Sequence, residues 1–196
     1  MNKPVNTDGK GQTPVLAILN ESTRAAVAVP AKRIDQVTTE LFTSLFVLES
    51  EFAFKPVPGK PYYLYQQETR FWLGLTAPDM LAERVAGRFI GTATLQPDLT
   101  WTLELAEAVA TDSAFTDWLA DKRAAFEQRL GAAETVDDVL PVYESRLSFY
   151  RRASAFGVAH SLSRSMSAAG ISGLSYDEAR GLLADAPEDT DDTPAD

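Results

Sequence analysis

The sequence predicts an α+β fold, and three observations carry that prediction. Apolar residues recur at spacings of three and four between Arg33 and Phe52. An aromatic-rich stretch at 52–105 then breaks into short alternating runs separated by proline, glycine and aspartate. From Thr111 onward the helical period returns, with capping residues at its starts. The expected architecture is a small four-stranded antiparallel meander, with an SH3-like curl as one form open to it. It packs against a long N-terminal helix (33–53) and a C-terminal helical hairpin (112–130 and 136–168).

Residues 1–14 are polar, hold Pro4, Gly9, Gly11 and Pro14, and are expected to be a disordered N-terminus. A single α+β domain is expected over 15–184. Its first part has two apolar pieces, Val15-Leu16-Ala17-Ile18-Leu19 and Ala25 to Val29, closed by Pro30. They fit an extended arm packing on the body or short strands equally well. The helix at 33–53 follows from Ile34, Val37, Leu41, Leu45, Leu48 and Phe52, and Phe42 and Phe46 widen the stripe. A stripe this wide suits burial on two sides or pairing with a second chain.

Pro56, Pro58, Gly59 and Pro61 stop that helix. The meander spans 62–105. Its strands are 62–67, 71–75, 88–95 (Phe89, Gly91, Ala93 and Leu95 on one face) and 100–105 (Trp101, Leu103 and Leu105 on one face). Gln67-Glu68-Thr69-Arg70 is a turn, and Gln96-Pro97-Asp98-Leu99 another, with proline suited to position i+1. Asp112 and its neighbours offer N-cap oxygens for 112–130, with Gly131 as the stop. Thr135 with Asp138 resembles a capping box for a helix over 136–168, though Pro141 allows a start at 140 or 141. Ser175 with Glu178 caps a last helix at 176–184.

Composition excludes several chemistries. There is no cysteine, so disulfides, thiolate metal sites and cysteine nucleophiles are absent. With one histidine, His160, no multi-histidine metal centre fits within one chain. No Gly-x-Ser-x-Gly, Walker or dinucleotide motif occurs. No catalytic residue, metal or cofactor is therefore assigned, and the chain is expected not to be an enzyme; an unrecognised hydrolase is the remaining enzymatic reading. No long apolar run or secretory leader is found, and a cytoplasmic, soluble protein is expected. The net charge of −10 is uneven: Asp185, Glu188, Asp189, Asp191, Asp192 and Asp196 place six acids in 185–196, expected to be a disordered acidic tail.

One stretch resembles a known family. Phe54, Val57 and Gly59 precede Tyr62 or Tyr63, Leu64 and Tyr65. Leu73, Leu75, Pro78, Phe89 and Ile90 follow, then Asp98, Thr100 and Trp101. In order and spacing this is similar to the uncharacterised family called domain of unknown function 2452, over about residues 52–105. The family has no assigned activity, so the resemblance implies no catalytic residue. It usually places Glu-Trp after the proline, where this chain has Asp79-Met80. A binding surface built on that tryptophan would be altered here.

Two residue sets are candidate sites. Tyr62, Tyr63, Tyr65, Trp72 and Trp101 lie on neighbouring predicted strands and could form an aromatic interaction surface. Alternation separates Tyr63 and Tyr65 from Tyr62 and Leu64, and only one of those faces is expected to be core. Arg146, Arg151, Arg152 and Arg164, with His160, form a basic stretch that could hold an anion or pair with Asp117, Asp121 and Glu127. The net-negative body argues against nucleic acid. The leading expectation is a non-enzymatic protein-interaction or scaffold module, binding a protein partner or a copy of itself. The alternative is a small-ligand or anion-binding regulator using the Arg-rich helix 146–164. The first requires exposed Trp72 or Trp101 or an uncovered helix face. The second requires a pocket with Arg151 or Arg152 in its wall. An enzyme would need a cleft holding a carboxylate or His160 with a perturbed pKa.

Overall fold

A computed structural model of the chain describes residues 30–143 and 145–184. The expectations for 1–14, for the apolar pieces at 15–29 and for the tail at 185–196 fall outside the described residues. Within them the α+β class holds. Helix α1 (Ile34–Glu49) is the hub. It packs on β4, on both later long helices and on the last helix. Its buried residues Ile34, Val37, Leu41 and Leu48 belong to the predicted period, of which Leu45 is half-buried, and Phe46 and Val47 add the second buried side. The helix stops at Glu49, before the predicted residue 53. Ser50 turns extended, and its hydroxyl donates to the Val47 carbonyl. Glu51 then forms an isolated parallel bridge to Trp72.

The sheet holds β1 (Pro61–Gln67), β2 (Arg70–Gly74), β3 (Arg88–Leu95) and β4 (Trp101–Leu105), all neighbours antiparallel. Its order is β2-β1-β3-β4, so it is not a sequential meander. Strand β1 lies between β2 and β3, and no ladder among the described residues joins the two edges into an SH3-like closure. The connection 75–87, with a 3-10 turn at Pro78–Met80 and a short helix α2 (Glu83–Ala86), must therefore cross β1.

That crossover corrects the expectation of a single buried face. Tyr62 and Leu64 face the helices, as alternation requires, yet Tyr65 on the opposite face is only 1% exposed. Its ring stacks on Trp72 with centroids 4.6 Å apart, and its hydroxyl donates to the Thr76 carbonyl at 2.7 Å. The Trp72 indole N–H donates to the Ala86 carbonyl at 2.9 Å. Phe89 joins this second cluster, beside Tyr65, not the Gly91 face. A bulge opposite Leu64/Tyr65 inserts Ile90 and reverses Phe89. Gly91 is required by close approach, since a Cβ there would lie 2.2 Å from the Glu104 carbonyl oxygen.

After β4 come α3 (Glu107–Ala110) and α4 (Ser113–Ala132), the latter capped by Asp112, whose carboxylate accepts from the Ala114 N–H. Helix α4 runs through Gly131 instead of stopping there. The Thr135–Asp138 box forms as predicted, with both Thr135 donors on one Asp138 oxygen at 2.9 Å, but it caps only a 3-10 turn at Val136–Val139. Leu140 precedes proline and is extended, which ends the helix, so α5 (Phe149–Ala168) starts thirteen residues after the position 136 that the capping box predicts. Helix α5 packs principally on α1, whereas α4 divides its packing among α3, α1, the 3-10 turn at Val136–Val139 and the last helix, so the two do not form a hairpin on each other. The Ser175–Glu178 box caps α6 (Tyr176–Ala184) as predicted.

Candidate functional site

A cavity of about 840 Å³ opens between α5, the β3–β4 turn, the segment 55–58 and the start of α1. Its lining is mainly apolar, with Val57, Leu95 and Leu99 and the rings of Pro30, Pro56, Pro58 and Pro97. The α5 wall follows from helical spacing: Tyr150, Ala153, Ser154, Gly157, His160, Ser161 and Arg164 share one face. Gly157 brings that wall close, since a Cβ there would lie 3.0 Å from Leu99 Cδ1.

The opposite wall is polar. Lys32 is buried and its ammonium donates to both Glu40 and Asp98. Asp98 also accepts from the Thr100 N–H at 3.2 Å and hydroxyl at 2.7 Å, which folds the turn in which Leu99 takes φ +69°. Burial alone would push the Asp98 carboxyl up; the hydrogen bonds from Lys32 and Thr100 outweigh it and hold the carboxyl below its ordinary value. Burial likewise opposes the Lys32 charge, but its bonds to Asp98 and Glu40 raise it overall.

Ser161 lies in the α5 wall with its hydroxyl buried and, among the described residues, without a hydrogen-bond partner. Arg164, exposed at the rim, has no ion pair or side-chain hydrogen bond among the described residues. His160 stacks on Phe156, with ring planes 3° apart. Among the described residues no three His, Asp or Glu side chains gather as a metal site, and no helix is long and apolar enough to cross a membrane.

The predicted residues fare unequally. Tyr62, Tyr65 and Trp101 are buried, and Tyr63 and Trp72 are half-buried within the second cluster, so the five make no exposed surface. They are packing residues because both faces of the sheet are covered. The four arginines do not converge. Arg164 borders the cavity, while Arg151, roughly 20 Å away along α5, donates to the Glu49 and Ser50 carbonyls at 3.5 and 3.1 Å. It borders a separate shallow depression with Glu51, Phe52 and Trp72. Arg146 and Arg152 are exposed. The expected pairing with α4 acids is absent among the described residues: Glu127 pairs with Arg123 at 3.0 Å within α4.

Sequence reasoning missed Lys32, Leu99, Gly157 and Ser161 as cavity residues. The four-residue recurrence of Gly157, Ser161 and Ser165 marks a small-residue stripe on α5, and that signal was available in the sequence. The partner surfaces at 32 and 98 were not. Comparison with protein-family models, curated proteins and solved structures found no match for this chain.

Proposed function

We propose that this chain is a non-enzymatic binding protein whose site is the cavity on α5. The observation that carries this reading is the cavity itself: apolar walls with a few convergent polar groups, the form that small-molecule sites take. It favours the small-ligand alternative over a scaffold built on sheet aromatics, and it replaces Arg151 and Arg152 by Arg164 as the anion-facing group. The lowered Asp98 carboxyl is explained by its structural partners, and no described carboxylate is bonded to His160, so nothing supports a proton-transfer role. A cytoplasmic setting belongs to the same proposal. The resemblance of 52–105 to domain of unknown function 2452 is likewise a proposal, and assigns no activity.

The test is an amide and indole NMR titration of the full chain with small amphipathic fragments. Saturable movement of the Gly157 amide and of the Trp101 indole signal, whose partner Ser154 lines the cavity, is expected. Fragments that leave both signals unmoved at millimolar concentration overturn the reading. So does a cavity that accepts them only after Leu16, Ile18 and Leu19 are changed to serine in the full chain. That result would assign the cavity to the chain's own N-terminal stretch.

A second reading, a protein-interaction module, is favoured by the crossover over β1. Leu75, Met80 and Val85 on it are 66%, 76% and 61% exposed. A Leu75→Ser, Met80→Ser, Val85→Ser variant would lose a captured partner or self-association that the parent shows. An unchanged capture profile and mass in solution would dismiss it.

A further inference from the structure

Resting on the ligand-binding reading, we propose that the ligand is an anionic amphiphile. Its apolar body lies in the cavity, and its single carboxylate or phosphate head sits at the α5 rim.

Three observations select that chemistry. The first is the sign of the α5 wall. From Ser145 to Tyr176 the chain holds no Asp or Glu, while His160 and Arg164 stand at the cavity. A guanidinium with no ion pair among the described residues is a fork suited to carboxylate or phosphate. The second is the state of the facing wall. Its acids, Glu40 and Asp98, both contact Lys32, which offsets one of the two negative charges they would present to an incoming anion. The third is Ser161, one helical turn before Arg164 on the same face, whose buried hydroxyl has no hydrogen-bond partner among the described residues. A head oxygen at the rim gives that hydroxyl an acceptor after a χ1 rotation. Between the two walls Leu95, Leu99 and the prolines offer only apolar contact, which suits hydrocarbon or a flat ring.

The experiment is calorimetric titration of the full chain with hexanoate, octanoate, decanoate, decyl phosphate, decanol and decyltrimethylammonium, each below its micelle concentration. Affinity is expected to rise roughly fourfold per added methylene. Decanoate or decyl phosphate should bind more tightly than decanol, and the cationic amphiphile more weakly than either; comparison of the two anions assigns the head. Raising salt to about 0.5 M should weaken the anions and leave decanol unchanged. Arg164→Gln should weaken the anions about fivefold, the range of a rim ion pair, without affecting decanol. Arg164 is an exposed helix residue, so the variant keeps its fold, and Ser161→Ala supplies a second site-directed check.

Decanol binding as tightly as decanoate, with Arg164→Gln silent, would overturn the anionic class and leave the ligand-binding reading standing. No binding by any probe, alcohol included, would overturn both.

Discussion

The Trp101 indole N–H donates to Ser154 Oγ at 3.2 Å, joining the buried centre of the sheet to the cavity wall of α5. The same residue's backbone N–H donates to Ser44 Oγ on α1 at 2.9 Å. One fully buried residue thus fixes β4 against both helices that define the site, through its backbone to α1 and its side chain to α5. Ser154→Ala keeps the volume but leaves the indole N–H unpaired. The expected loss is about 1–3 kcal/mol of unfolding free energy, read by urea denaturation. A variant as stable as the parent would mean that the bond contributes nothing net.

The crossover 75–87 is held to the sheet by two side-chain bonds, from Tyr65 to Thr76 and from Trp72 to Ala86. Tyr65→Phe removes the first while keeping the ring stack. Global stability should fall by about 1 kcal/mol. Local opening should increase more, because this segment buries little apolar surface of its own. Tryptic cleavage after Arg84, followed by mass spectrometry, should be faster in the variant. Equal cleavage rates would show that the hydroxyl does not hold the crossover.

Local chemistry was legible in the sequence wherever a side chain acts on its own neighbours. The Ser175–Glu178 and Thr135–Asp138 boxes, the Asp112 cap and the 96–99 turn all formed where residue type and spacing placed them. Period was legible too, since α1 buries the stripe that its spacing defines. Nonlocal geometry was not. Nothing in residues 62–95 states that β3 pairs with β1 instead of β2, and that choice covers Tyr65 and reverses Phe89. The cavity has the same origin. Lys32, Asp98 and Ser161 are far apart in sequence, and only packing around α1 sets them around one space.

Gly131 tests one of these differences directly. The sequence places it as a helix stop, where a left-handed conformation would make alanine unfavourable. In the structure it lies inside α4, has no positive φ, and a Cβ there would meet nothing within 4 Å. Gly131→Ala should therefore raise stability by roughly 1 kcal/mol, as alanine replaces glycine in an open helical position. A destabilised variant would restore the stop.

Two adjacent arginines should behave differently. Arg151 donates to the carbonyls at the C-terminal end of α1 and, through Nε, to Ser148 Oγ at 3.2 Å. Arg152 is exposed. Arg151→Ala should lower the thermal midpoint, at about 1–2 kcal/mol for charged hydrogen bonds to carbonyl groups. Arg152→Ala should stay within about 0.5 kcal/mol of the parent. Equal effects would mean that Arg151 is not the residue tying α5 to the end of α1.

The Lys32–Glu40–Asp98 group predicts a stability profile with two limbs. The Asp98 carboxyl is held below its ordinary value of 3.8 by its donors. Its contribution is therefore present above that pH and is lost as pH falls through the lower folded value. Lys32 is held above its ordinary 10.5, burial notwithstanding, by its bonds to Asp98 and Glu40. Its contribution is present below that pH and is lost as pH rises through the higher folded value. Lys32→Met keeps the apolar stem and removes the cation, leaving two carboxylates facing each other beside the cavity. The expected loss at pH 7 is about 2 kcal/mol, reduced from a fully buried pair because the acids are partly solvated. Burial then dominates at Asp98 and favours the neutral acid, so the gap between parent and variant should narrow as pH falls from neutral toward 4. Urea unfolding across that range measures it. A gap that stays constant with pH would show that Lys32 stabilises the fold through its stem and not through its charge.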